Sequence, residues 1–244
     1  MVHSQTQALY QLLAKVRKTY PQLEIESCAS GGGRADFGIL QHTDRIWTSD
    51  SNDALDRLRI QKGFSYFFPP EVMGAHVGPR ECHITGRVHS MALRAGVALL
   101  GDMGVEANLL ELDEAEKTEL KAAIALHKQY RELLFSGDMV RLDLNPWQIG
   151  LGVIGADQQQ ALFCYTLLDS EPNAVGGRLR LSGLDAGSQY KIDVIWPHNL
   201  NNYSNSALEA INGSVFSGDA LTQFGVQLPI MRPAELLILH VQQV

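Results

Sequence analysis

Cysteine is scarce: 244 residues carry only Cys28, Cys82 and Cys164, an odd set without zinc-type pairing. No disulfide framework is expected, and reduced thiols fit a cytoplasmic location. Long apolar runs are lacking too. No stretch approaches the ~18 residues needed to span a bilayer. The opening MVHSQTQALYQLLAKVRKTY has neither a basic start before an apolar core nor a small-residue cleavage site. Neither a membrane partner nor a secretory signal is expected. Basic charge is in deficit, with 20 Lys and Arg against 27 Asp and Glu and a net charge of -7. That balance argues against nucleic acid or an anionic surface as partner and favours a neutral ligand.

What is present is an ordinary globular composition, 45% hydrophobic and 19% charged, long enough to bury a core. Leu9, Leu12, Leu13, Val16 and Tyr20 recur at helical spacing before Pro21. LEIESC, RIWTS and EVMGAHV read as strands, with VALLGD as a further apolar run ending in an acid. NDALDRLRIQKG, closed by Gly63, and GRVHSMALRAG read as helices, as does 113–134 behind the acidic opening LDEAE. Strand and helix in alternation predict about four βα units and a parallel sheet. Beyond FSGDMVRLD, the runs LRLSGL, YKIDVIW and ELLILHV lie between the turn signals DAGS and NGS, as antiparallel strands do. The reading is therefore an α/β domain over 1–136 and an antiparallel β-sandwich over 137–244.

The chemistry concentrates in CASGGGRADFGILQHTDRIWTSD, Cys28 to Asp50. Cys28 and Asp50 each fall at the carboxyl end of a strand, where parallel sheets carry reactive groups, and Gly31, Gly32 and Gly33 permit close backbone approach. A neutral sugar pressed against that backbone, with a carboxyl protonating the glycosidic oxygen, is one reading. Others stand beside it. The glycine run lacks the G-x-G-x-x-G and G-K-[ST] patterns of phosphate loops, and Arg34 is the only cation near it. Cys28 is either a packing residue or a nucleophile needing His42 or His76 as base. The glycines are also compatible with a purely structural turn. His76, Cys82, His83 and His89 match no zinc spacing and read as loop and surface residues, so no metal is expected. Asp50 and Asp53 occupy positions where helix caps are favoured, so capping and catalysis both stand. Asp56 and Arg57 read as a solvated helix face.

Three linked stretches, ESCASGGGRADFGIL, RIWTSDSNDALDRLRIQKG and MGAHVG followed by HITGR, resemble in order and separation the later part of bacterial family 36 α-galactosidases. The resemblance covers about Ser4 to Glu111 closely and the remainder more loosely. It implies roughly the last four βα units of a (β/α)8 TIM barrel, followed by the C-terminal β-domain. It also implies a retaining hydrolase acting on terminal α-linked galactose, with an α-galactoside oligosaccharide as substrate and no cofactor. Carried over by position, Asp50 matches the general acid/base. Cys28, Ser30 and Gly31 match the galactose subsite, and Ser30 stands where many relatives have glycine. Arg34, Asp36 and Asp53 match supporting residues. The family's nucleophilic aspartate, in a Lys-Trp-Asp motif on an earlier strand, has no counterpart here. The expectation is a chain inactive alone, completed by the missing N-terminal half or associated as a homo-oligomer through the edge strands LEIES and VALLG. The other reading is a noncatalytic carbohydrate-binding or structural remnant.

Overall fold

The computed structural model describes residues 2–173, 175–200, 203 and 205–244. The first part runs α1 (Val2–Thr19), β1 (Glu26–Ser27), α2 (Phe37–Leu40), β2 (Arg45–Trp47), α3 (Ala54–Phe64), β3 (Met73–Val77), α4 (Met91–Ala98), β4 (Asp102–Val105) and α5 (Glu114–Ser136). Its four strands pair in parallel in chain order, β1-β2-β3-β4. Helix starts follow capping chemistry. The side chains of Asp53, Ser90 and Asp113 accept backbone N–H groups at the starts of α3, α4 and α5, where those donors lack partners within the helix.

The second part runs β5 (Asp138–Arg141), β6 (Gln148–Ile154), β7 (Gln160–Leu167), β8 (Arg178–Leu179), β9 (Gln189–Trp196), α6 (Asn205–Ile211), β10 (Ser214–Ser217), α7 (Gly218–Gln223), β11 (Val226–Gln227) and β12 (Glu235–Gln243). Six of these strands form an antiparallel sheet in the order β10-β9-β12-β7-β6-β5, and β11 pairs with β8 in a separate ribbon. The run GLGVIG lies in β6 except for Gly155, which starts the turn to β7, and it opens no helix, so it is no dinucleotide loop.

Period-two alternation sends this sheet's side chains to two cores. Leu151, Val153, Leu162, Cys164, Leu236 and Ile238 join one core with Leu93 and Val97 of α4 and Leu120 and Leu134 of α5. Phe163, Tyr165, Leu237, Leu239 and Val241 join the other, with Leu179 of β8, Leu221 of α7 and Val226 of β11. The large sheet is thus covered on one side by helices of the first part, and on the other by the ribbon and short helices. This differs from a sandwich of two comparable sheets, because the sheet facing the six-stranded one is only the two-stranded β8–β11 ribbon.

Other expectations change as well. VALLG is no strand: Val97 and Ala98 complete α4, and the edge strand is β4, four residues farther on. LEIES contributes only Glu26 and Ser27 to the other edge. Arg57 is not solvated but 1% exposed. Cys82 and His89 are buried rather than superficial. Gly63 lies within α3, whose C-cap is Ser65. Among the described residues, no helix is long and apolar enough to cross a membrane.

Candidate active site

The loops leaving β1 and β2 lie side by side. Cys28 is exposed one residue beyond β1, and its Sγ stands 4.0 Å from Oδ1 of the exposed Asp50, three residues beyond β2. Parallel pairing of Ser27 with Ile46 makes this meeting possible, since both chains leave the sheet at the same end. The exposure of Cys28 removes the packing role. Neither candidate base serves it: the His42 ring packs on Tyr10 at 5.4 Å, and His76 is ion-paired to Glu26 and Glu106.

The close approach that the glycines allow is to the chain itself. A Cβ on Gly31 would lie 2.8 Å from the Asp50 nitrogen and from the Ser49 Cα, and one on Gly32 would lie 2.5 Å from the Thr48 carbonyl oxygen. On Gly33 it would strike the Ala29 carbonyl. Gly31 is buried with φ +66, so its own neighbour is the backbone of Asp50. The exposed Ser30 has φ +50, a left-handed conformation that favours glycine. The bare backbone therefore braces the segment that ends in Asp50.

Asp36 and Asp53 anchor the elements on either side of this geometry. Asp36 caps α2 by accepting the Ile39 N–H at 2.7 Å, and it accepts the Tyr10 hydroxyl at 2.9 Å, which ties α1 to the loop. Burial opposes its charge, but these bonds and nearby Arg34 hold its carboxyl below the usual range. Arg34 itself makes no hydrogen bond or ion pair among the described residues. Asp53 is fully buried. It accepts the N–H groups of Leu55 and Asp56 and the Thr85 hydroxyl, and it contacts Arg87 and His89 at 3.1 and 3.3 Å. Of the two aspartates, Asp53 is the cap, and Asp50 has no helix to serve.

Several residues around the site escaped the reading of the sequence. Arg57 donates to the Ser49 carbonyl at 3.1 Å and the Gly74 carbonyl at 2.7 Å, and its guanidinium lies 4.3 Å from the Trp47 ring. Burial lowers its pKa to about 10. Trp47 stacks on His76 with centroids 4.0 Å apart. The face of the sheet turned away from the helices is polar: Arg45 binds Glu24, Glu26 and Asp102, while His76 lies 3.5 Å from Glu26 and 3.1 Å from Glu106. The signal was present as i, i+2 spacing in Glu24 and Glu26, Arg45 and Trp47, Gly74 and His76, and Asp102, Gly104 and Glu106. Among the described residues, no cluster of three His, Cys, Asp or Glu is placed to hold a metal.

The arrangement is one exposed carboxyl at a strand end, beside a thiol and a braced glycine loop, which suits proton transfer to a ligand resting on that end. Comparison with known proteins gives it a context. Residues 1–137 match the family described as Melibiase, and residues 148–235 match the glycosyl hydrolase family 36 C-terminal domain. An α-galactosidase of Escherichia coli is 40% identical over 98% of this chain and 35% of its own length. The crystal structure of the family 36 α-galactosidase AgaB from Geobacillus stearothermophilus superposes with a TM-score of 0.85 at 34% identity, over 97% of this chain and 31% of that one. A variant of AgaA from the same organism, crystallised with raffinose, matches with the same TM-score, identity and coverage. The chain spans about a third of the length of these relatives. On these matches the chain belongs to the melibiase family, and it corresponds to the C-terminal portion of family 36 α-galactosidases.

Proposed function

We propose that this chain supplies the acid/base side of a retaining α-galactosidase site. Asp50 protonates the departing glycosidic oxygen and then activates water, while Cys28, Ser30 and the loop at Gly31 border the galactose. The substrate is an α-galactoside oligosaccharide, in line with the raffinose and stachyose held by structures similar to this chain. The observation that carries the reading is the approach of Cys28 Sγ to Asp50 Oδ1 at 4.0 Å, on a loop braced by glycines against the Asp50 backbone. Asp36 and Asp53 support that loop through their hydrogen bonds, and Arg34 supports it through its charge beside Asp36. The three free thiols suit the reducing cytoplasm.

Retaining hydrolysis needs a second carboxyl ~5–5.5 Å from the acid, attacking the anomeric carbon. The carboxylates on the inner face of the sheet are engaged: Glu26 and Asp102 by Arg45, and Glu106 by His76. In this reading the nucleophile comes from a further part of the barrel, and the chain alone does not turn over. The purified chain should leave a nitrophenyl α-galactoside intact under conditions in which a whole glycosidase hydrolyses it. Turnover at the level of a whole enzyme, abolished by Asp50→Asn, would show that a carboxylate of this chain serves as nucleophile.

A further inference from the structure

A cleft of about 700 Å³ lies far along the chain from Asp50, and every residue lining it falls between Leu142 and Leu228. It opens among the β5–β6 connection, the β8–β11 ribbon and α7. Tyr165 at its base belongs to the core on the side of the six-stranded sheet turned away from α4 and α5. The sheet thus separates the cleft from the βα part that carries Asp50. The volume is that of a ligand site rather than of a packing gap.

The lining has three properties that together select a ligand class. First, it offers flat apolar surface: Trp147 lines the cleft, and Phe224 lines it while 66% exposed. Second, it offers unspent polar groups. Asp143, Arg180 and Gln223 are exposed and make no hydrogen bond or ion pair among the described residues, so an acceptor, a cationic donor and an amide remain open. Third, its charges cancel, with Asp143 and Glu171 against Arg178 and Arg180. Balanced charge favours neither a phosphate nor a cation. A sugar ring has a flat C–H face for an aromatic ring and a rim of hydroxyls that both donate and accept, so it matches all three properties.

The frame is built before a ligand arrives. Arg178 donates to the Phe224 carbonyl at 2.9 Å and the Gly225 carbonyl at 2.7 Å, which fixes the backbone that bears Phe224. The Gln148 amide donates to Glu171 at 2.5 Å and accepts from Asn145, which holds the opposite wall. Ordering costs at such a site are largely met in advance.

We propose that this cleft is a noncatalytic binding site for a short neutral oligosaccharide, distinct from the Asp50 site. It would hold such an oligosaccharide on the β-domain, independently of any chemistry at Asp50.

The test is a titration of the full chain with stachyose, following the indole N–H resonances of Trp147 and Trp47 by NMR. The Trp147 resonance should move and saturate, and the Asp50→Asn chain should give the same Trp147 curve. Phe224→Ala combined with Arg180→Ala should weaken that binding about tenfold or more, a loss of about 1.4 kcal/mol. Both side chains are exposed, so the far-UV spectrum should be unchanged; if it is not, Arg180→Ala alone serves. A Trp147 resonance indifferent to stachyose would overturn the proposal, as would one that responds equally in the cleft variants. Movement with inorganic phosphate but not with stachyose would identify an anion site instead and would also overturn it.

Discussion

Asp53 carries no solvent-exposed surface, and its carboxylate is met from five directions by Leu55, Asp56, Thr85, Arg87 and His89. Burial works against its charge. The Thr85 and Asp56 hydrogen bonds and the charges of His89 and Arg87 outweigh that, holding the carboxyl below its usual range. The stability it contributes is present above an unfolded value of about 4 and is lost as pH falls through the lower folded value. Asp53→Ala removes a helix cap and unpairs buried donors, so it should cost about 2–4 kcal/mol in urea denaturation at pH 7. Asp53→Asn keeps an acceptor and should cost less. A loss near zero for Asp53→Ala would show that the network is not formed in solution. From the residues alone, Asp50 and Asp53 were equivalent candidates for cap and catalyst. Which one caps depends on where α3 begins, and helix starts are uncertain by a residue or two in sequence. The side chain of Asp53 turning back to Leu55 and Asp56 settles it.

Between elements, the parallel sheet is bound across its polar face as well as along its ladder. His76 on β3 bridges Glu26 on β1 and Glu106 beyond β4, while Arg45 on β2 shares Glu26 and reaches Asp102 on β4. Burial disfavours the imidazolium, but hydrogen bonds to Glu26 and Glu106 outweigh it and raise the pKa. The sign follows. The contribution of charged His76 is fully present below the unfolded value of about 6.5 and fades as pH rises through the higher folded value. His76→Gln should therefore destabilise the chain more at pH 6 than at pH 9 in paired thermal melts. An equal loss at both values would mean that the stack on Trp47, not the charge, is what His76 supplies. The order of strands and helices was legible because helical and strand periods differ. VALLG was not, because a short apolar run reads alike as strand or as fully buried helix. Here α4 is buried almost all round, lying between β3 and the six-stranded sheet, and so has no polar face to betray its period.

Across the whole molecule, the parallel and antiparallel sheets are joined by one core shared with α4 and α5. Trp196 of β9 is 1% exposed and donates to the Ala92 carbonyl of α4 at 2.8 Å. A Cβ on Gly96 would come within 2.6 Å of Leu236 and 2.8 Å of the Trp196 indole nitrogen. The first part and the large sheet should therefore unfold in one transition. Gly96→Ala, although favourable to an isolated helix, should lower that transition, with an overpacking cost of about 1–3 kcal/mol. Two separate transitions by calorimetry would show that the shared core contributes little. The change from parallel to antiparallel strands was visible in the order of elements. The shared core was not, because it depends on which face of each β-domain strand meets α4 and α5.

Assembly of the whole molecule also decides the proposed role of Asp50, as the acid/base of a site completed by another part of the barrel. Its most direct test is complementation of this chain with a polypeptide carrying the first half of the barrel from a family 36 α-galactosidase, following galactose release from raffinose and from a nitrophenyl α-galactoside. Activity should appear only in the mixture. Asp50→Ala should reduce hydrolysis of raffinose by about 10²–10⁴-fold and that of the activated aryl substrate by less, since a good leaving group needs less protonation. Equal losses on the two substrates, or a complemented Asp50→Ala mixture as active on raffinose as the unaltered one, would contradict it.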